Sequence, residues 1–235
     1  MKATLHGVAS LAAGMGRRMK LQGSHNQSIR AMTLTEVIVA VFVVLLLAVV
    51  LLPVVAYLKP KNNRINCVNN LKEVGLAYKI WEGDNNDKYP AQVSVLTGGA
   101  MELAATGNVV AVYQCMSNEL STPKILYCYN DTSHRPATNF LVGFTAKNIS
   151  YFAGLDASPD QPQTVLTGDA NLELNDQPVG PGVLSLGTNI FTWTKDRHKF
   201  GGYIVLSDGS AAPVRQMGFT TAPETIFYTN RLAIP

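Results

Sequence analysis

The stretch AMTLTEVIVAVFVVLLLAVVLLPVVAYL, residues 31–58, limits what this chain can fold into more than any other part of it. From residue 37 to residue 55 the apolar run is interrupted only by Pro53. A helix over residues 32–58 is roughly 40 Å long, and a bilayer core takes about 20 apolar residues. Globular cores rarely offer apolar surface all round a helix, so the run reads as a membrane span rather than a buried helix. Its ionisable residue is Glu36, in the opening turns, where a charge is costly unless something answers it. No Lys or Arg lies between Glu36 and Lys59. Pro53 lacks a backbone donor and crowds the carbonyl four residues back, which predicts a kink or local melting at residues 49–53. Pro60 marks the membrane exit.

Charge is unevenly placed. Residues 1–31 hold Lys2, Arg17, Arg18, Lys20 and Arg30 and no acid, whereas the rest of the chain has 14 basic and 16 acidic residues. The net +3 of the whole is therefore a property of the leading segment, and no nucleic-acid footprint of clustered basic charge remains beyond it. At 235 residues and 47% apolar, the chain accommodates one span and one modest globular domain. Four basic residues precede the span closely and three follow it (Lys59, Lys61, Arg64), which favours an inside N-terminus. The piece GVASLAAGMG is short, rich in small residues and followed by more positive charge, so it makes a poor secretory hydrophobic region.

A long basic leader ending just before AMTLTEVIVAVFVVLLLAVV resembles the N-terminus of type IV pilins and type II secretion pseudopilins. The resemblance implies removal of residues 1–31 by a prepilin peptidase that cuts between Ala31 and Met32 and methylates the new N-terminus at Met32. Glu36 then becomes the fifth mature residue and Pro53 the twenty-second, both positions the family favours. Ala31 stands where the family usually has glycine, and Met32 where it usually has phenylalanine. An unpaired carboxylate in an apolar filament core is strongly disfavoured, and the family implies that Glu36 meets the Met32 amine of its own or a neighbouring subunit. The implied partners are the prepilin peptidase/N-methyltransferase, other pilin-like subunits, the inner-membrane assembly platform and, before assembly, membrane lipid. The implied location is the inner membrane, single-pass, with a cytoplasmic N-terminus and an extracytoplasmic head, and afterwards a periplasmic or cell-surface filament.

Past the span, Cys67, Leu71, Val74, Tyr78 and Trp81 recur at spacings of four and three, an amphipathic stripe. Asn69, Asn70, Lys72 and Glu73 lie on its polar side, and EGDNND ends the helix with turn chemistry. The expected organisation is a leader over 1–31, a hydrophobic helix over 32–58, a stalk helix over 59–82 and a β-rich head over 83–235. Short runs divided by turn residues, namely NVVAVYQCM, KILYCY, NISYFAGL, QTVLTGD and NIFTWT, predict antiparallel strands. GGYIVLSDGSAAPV predicts a hairpin turning on Asp208-Gly209. The fold class expected is α+β, with the helix of residues 64–82 covering one small sheet.

NELSTPKILYCYND, NISYFAGLDASPDQPQTVLTGDANL and RHKFGGYIVLSDGSA resemble the heads of bacterial pseudopilin-like proteins that carry a C-terminal H-x9-D-G pattern, matched by His198, Asp208 and Gly209. Where that group has Cys-Pro-x-Asp, this chain reads Cys128, Tyr129, Asn130, Asp131. His198 is expected to pack beside the hairpin turn and bond its aspartate, a structural role rather than a catalytic one. Three cysteines allow at most one internal bridge. The resemblance favours Cys67 with Cys128, Cys115 with Cys128 is the local alternative, and free thiols remain a third state. Asp156, Asp160, Asp169, Asn171, Glu173 and Asp176 offer oxygens of the kind calcium takes, but without an EF-hand arrangement they read as solvated turns. No H-E-x-x-H, G-x-S-x-G or paired C-x-x-C motif occurs. The sequence thus assigns no enzyme activity, cofactor or metal. It predicts a structural subunit, with an uncleaved anchored binding domain and an anchored hydrolase using His198 and Asp208 as the alternatives.

Overall fold

The computed structural model describes residues 32–199, 201–218 and 231–235, apart from the side chains of residues 54–62. The basic segment, with Ala31 at the expected cleavage site, lies outside the described residues. The chain divides into two units, one ending at Val49 and one beginning at Val50. Helix α1 runs Leu34–Asp84 and is helical through both Pro53 and Pro60, so the expected local melting does not occur. Among residues 32–53 none is buried, as suits an apolar surface that no core covers.

In the second unit the predicted stripe faces inward, with Cys67, Leu71, Val74, Tyr78 and Trp81 all buried, while Asn69, Lys72 and Glu73 are exposed. The helix ends where Asn86 and Asp87 take left-handed φ of 56° and 53°, conformations that Asn and Asp tolerate better than most residues. Three short helices follow: α2 (Met101–Ala104), α3 (Val109–Cys115) and α4 (Ser117–Leu120). Helix α3 corrects the strand expected from NVVAVYQCM. Val109, Val112, Tyr113 and Met116 are all buried, the i, i+3, i+4, i+7 pattern of a helix, and Asn108 caps it by accepting from the Ala111 amide at 3.2 Å. KILYCY is likewise no strand. Pro123–Leu126 is a 3-10 turn, started by Pro123 behind the cap of Thr122.

The strands are β1 (Tyr151–Gly154), β2 (Val165–Asp169), β3 (Leu172–Leu174), β4 (Gln177–Pro178), β5 (Gly182–Ser185), β6 (Ile190–Trp193), β7 (Gly202–Leu206), β8 (Ala211–Val214), β9 (Gln216–Gly218) and β10 (Arg231–Ile234). Helix α5 (Lys195–His198) sits between β6 and β7. The expected single sheet is two, ordered β5-β10-β1-β2-β7-β8 and β4-β3-β6-β9, antiparallel throughout. Both faces of the six-stranded sheet are covered. Ala153, Leu166 and Ala233 pack with Val74, Ala77, Tyr78, Trp81 and the short helices, while Phe152, Val165, Ile204 and Leu232 pack with Phe191, Trp193 and Met217 of the smaller sheet. Neighbouring strand residues point to opposite faces, so double coverage buries β1 and β2 at every position. The predicted β7–β8 hairpin is present, closed by the Gly209 amide on the Leu206 carbonyl at 2.9 Å with Gly209 at φ +84°.

Candidate functional site

The two regions singled out by the sequence, the start of α1 and the surroundings of His198, have distinct local chemistry. At the start of α1, Thr33 accepts the Val37 amide on its carbonyl, and its own amide and hydroxyl each donate to Glu36 Oε2 at 2.9 Å. The Thr33 hydroxyl also lies 3.4 Å from the Glu36 amide. This is a capping box, T-x-x-E, in which the acid satisfies a donor that the helix leaves orphaned. The spacing of Thr33 and Glu36 in the sequence carries this capping signal alongside the charge of Glu36. The stretch Leu34–Pro53 is long and apolar enough to cross a membrane.

Around His198 the chain assembles a buried polar centre from four segments. Cys67 comes from α1, Cys128 from the turn after Pro123–Leu126, Asp169 from the end of β2 and His198 from the last position of α5. Cys67 and Cys128 are joined by a disulfide with Cα atoms 5.0 Å apart, closing 61 residues of sequence separation. Cys115 is a free thiol, and burial pushes it up to about 12, so it is poorly suited to thiolate chemistry. His198 Nε2 lies 3.4 Å from Cys128 Sγ and 3.5 Å from Asp169 Oδ2. Tyr203 sets its ring edge against the imidazole at 5.5 Å. Asn130 Nδ2 donates to the Arg197 carbonyl at 3.2 Å and lies 3.4 Å from His198 Nδ1, an arrangement that makes Nδ1 the acceptor and leaves the ring proton on Nε2.

Asp169 is fully buried. Its Oδ2 accepts the Tyr203 amide at 2.9 Å, its carbonyl accepts from Trp193 Nε1 at 3.0 Å, and its Oδ1 has no hydrogen-bond partner among the described residues. The expected bond between His198 and Asp208 is not made. Asp208 is exposed at the hairpin turn, where it accepts the Ser210 amide at 2.7 Å, so the partner of His198 is the acid that ends β2. The burial of Asp169 also corrects the expectation of a solvated turn at this residue. Of the others, Asp156 pairs with Arg231, Glu173 accepts from Thr192 at 3.1 Å, and Asp176 stands with Asn175 in the β3–β4 turn.

No family model, curated protein or solved structure matches this chain.

Helix α5 serves two buried acids at once. While His198 faces Asp169, the preceding Arg197 reaches Asp131 and the Ser150 carbonyl. Asp131 also accepts from His134 Nδ1 at 2.8 Å and from the Ser150 hydroxyl at 2.7 Å. Burial alone raises the Asp131 carboxyl, but the His134 bond, the Arg197 charge and the Ser150 bond outweigh it and hold the group well below the usual carboxylate range. The Asp131 site borders a cleft of about 200 Å³ with His134, Asn171 and Asp196 on its lining. Its chemistry is that of a satisfied polar plug, fastening α5 to the turn after Cys128. Arg64 of α1 adds a third tie, donating to the His198 carbonyl at 2.7 Å.

Proposed function

We propose that this chain is a prepilin-like structural subunit, anchored by its N-terminal helix before assembly and incorporated into a type IV pilus or secretion pseudopilus. The observation that carries the reading is the juxtaposition of a basic, acid-free segment ending at residue 31, Met32 directly after it, an acid four residues later and an apolar helix with no buried side chain over residues 34–53. An exposed apolar surface all round a helix needs lipid or other helices around it. In this mechanism the prepilin peptidase removes residues 1–31 and methylates Met32, and the freed amine answers the charge of Glu36 as the helix leaves lipid for the filament. The assembly platform and neighbouring subunits are the partners, and the α+β head stands outside the inner membrane.

One observation favours the second reading, a membrane-anchored domain that is never cleaved. The Thr33–Glu36 capping box already gives the carboxylate two donors without any terminal amine. Replacing Glu36 by Gln separates the two, because glutamine completes a capping box but carries no charge. The subunit reading expects Glu36→Gln protein to reach the membrane in normal amount and to vanish from sheared filaments. Wild-type incorporation of the Gln variant refutes the role given to the Glu36 charge, and absence of the wild-type chain itself from sheared filaments refutes the subunit reading and leaves the anchor.

A further inference from the structure

We infer that Cys67, Cys128, His198 and Asp169 form a second-state metal site, which binds a zinc-like divalent cation when the Cys67–Cys128 bridge is open. The inference does not depend on how the N-terminal helix is used. Cys67, Cys128 and His198 are each buried, and their ligand atoms all lie within 4.8 Å of one another. The geometry is more particular than that grouping. Zinc bonds of ~2.3 Å to sulfur and ~2.1 Å to nitrogen or oxygen, set at tetrahedral angles, give an N···S edge of about 3.6 Å and an N···O edge of about 3.4 Å. The distances from His198 Nε2 to Cys128 Sγ and to Asp169 Oδ2 are 3.4 and 3.5 Å. Two edges that meet at His198 Nε2 therefore have tetrahedral lengths, and the site closes when Cys67 Sγ rotates away from Cys128 and the Asp169 carboxylate moves in to the same ion.

A second feature belongs to the same carboxylate, whose demand for a positive partner is unmet. Asp169 is a fully buried carboxylate whose Oδ1 has no partner among the described residues, and such a group is costly in a dry interior. Its other oxygen is oriented by the Tyr203 amide, the kind of outer bond that holds a metal-ligating carboxylate in place. Metal on Nε2 requires the ring proton to move to Nδ1, where Asn130 receives it by turning its amide oxygen inward and giving up the Arg197 carbonyl.

The chemistry balances as follows. An external dithiol gives two electrons to the bridge and leaves as its own disulfide, freeing both protein thiols. The cation then displaces the two thiol protons and binds the resulting thiolates, with no change in its own oxidation state. Reoxidation by a small disulfide reverses this and expels the ion. Bridge and ion exclude one another, so the head holds α1 to the turn of Cys128 in either state, by a covalent link or by coordination.

The test uses the full chain in mild detergent, with Cys115→Ala removing the third thiol. After reduction by a phosphine, cobalt(II) serves as the spectroscopic probe and zinc(II) as competitor, while near-ultraviolet circular dichroism reports folding. The expected result is one cobalt per chain, with a thiolate charge-transfer band and the visible band of a tetrahedral site. Zinc erases both bands, and the oxidised chain shows neither. His198→Gln and Cys67→Ser each weaken cobalt binding at least about tenfold, the loss usual even for outer-shell partners, and abolish the tetrahedral band. Asp169→Asn keeps a tetrahedral band at lower affinity. A reduced chain that is folded yet shows no tetrahedral band overturns the inference. So does a reduced chain that unfolds and is not refolded by either metal, and so does a His198→Gln variant that binds cobalt like its parent.

Discussion

Replacing both Cys67 and Cys128 by Ala should cost the head about 4 kcal/mol of stability. The bridge closes a loop of 61 residues in sequence separation. For a loop of that length the chain-entropy relation gives about 14 cal/mol/K of denatured-state restriction, or about 4 kcal/mol at 25 °C. Loss of two buried sulfurs among Leu71, Tyr151 and Val205 acts in the same direction through the small void it leaves. Urea unfolding of the full chain in mild detergent measures the effect, because Trp81 and Trp193 are 4% and 0% exposed and report the two sides of the sheet. With a slope of about 2 kcal/mol/M, the midpoint should fall by about 2 M. A fall of less than about 0.5 M at unchanged slope refutes the reasoning, since it means the denatured chain gains little freedom when the loop is opened.

Two further substitutions probe the polar centre and its support. Asp131→Asn strands the buried Arg197 guanidinium and should cost about 3 kcal/mol. Because the folded carboxyl is held below its unfolded value near 3.9, its contribution is full above about pH 4 and is lost on further acidification. The wild-type urea midpoint should therefore drop in acid more steeply than that of the Asn variant, and parallel pH profiles contradict the assignment. Gly202→Ala puts a methyl carbon 2.1 Å from Trp193 Nε1, against a ring that is fully buried and bonded to the Asp169 carbonyl. Overpacking of this kind costs about 1–3 kcal/mol, so unchanged stability and unchanged Trp193 fluorescence would show that β7 yields more readily than its packing suggests.

Periodicity made the second half of α1 readable, because Cys67, Leu71, Val74, Tyr78 and Trp81 obey one spacing and are all buried. The Asp208-Gly209 hairpin was equally plain, since a turn of that composition between two apolar runs has few other uses. Residues 109–116 misled because Val109, Val110 and Val112 are β-branched, and β-propensity outweighed the i, i+3, i+4 burial pattern that decides the matter. The site was harder still. His198 chooses Asp169 over Asp208 through strand pairing of β2 with β7, a contact between residues 29 apart that no local motif encodes. Asp169 looked like one more turn acid because the residues after it are polar, yet both faces of its sheet are covered and the carboxylate is sealed inside. The paired role of Arg197 and His198 had no sequence signal beyond their adjacency in a basic run, which is more often a solvated face.

The central claim is that the apolar helix belongs to a processed, assembling subunit, and the N-terminus of the protein in cells tests it most directly. Intact mass with N-terminal sequencing of membrane and sheared-filament fractions should give a chain that begins at N-methylated Met32. Recovery in both fractions of a chain that still carries residues 1–31, joined at Ala31 and Met32, would contradict the account.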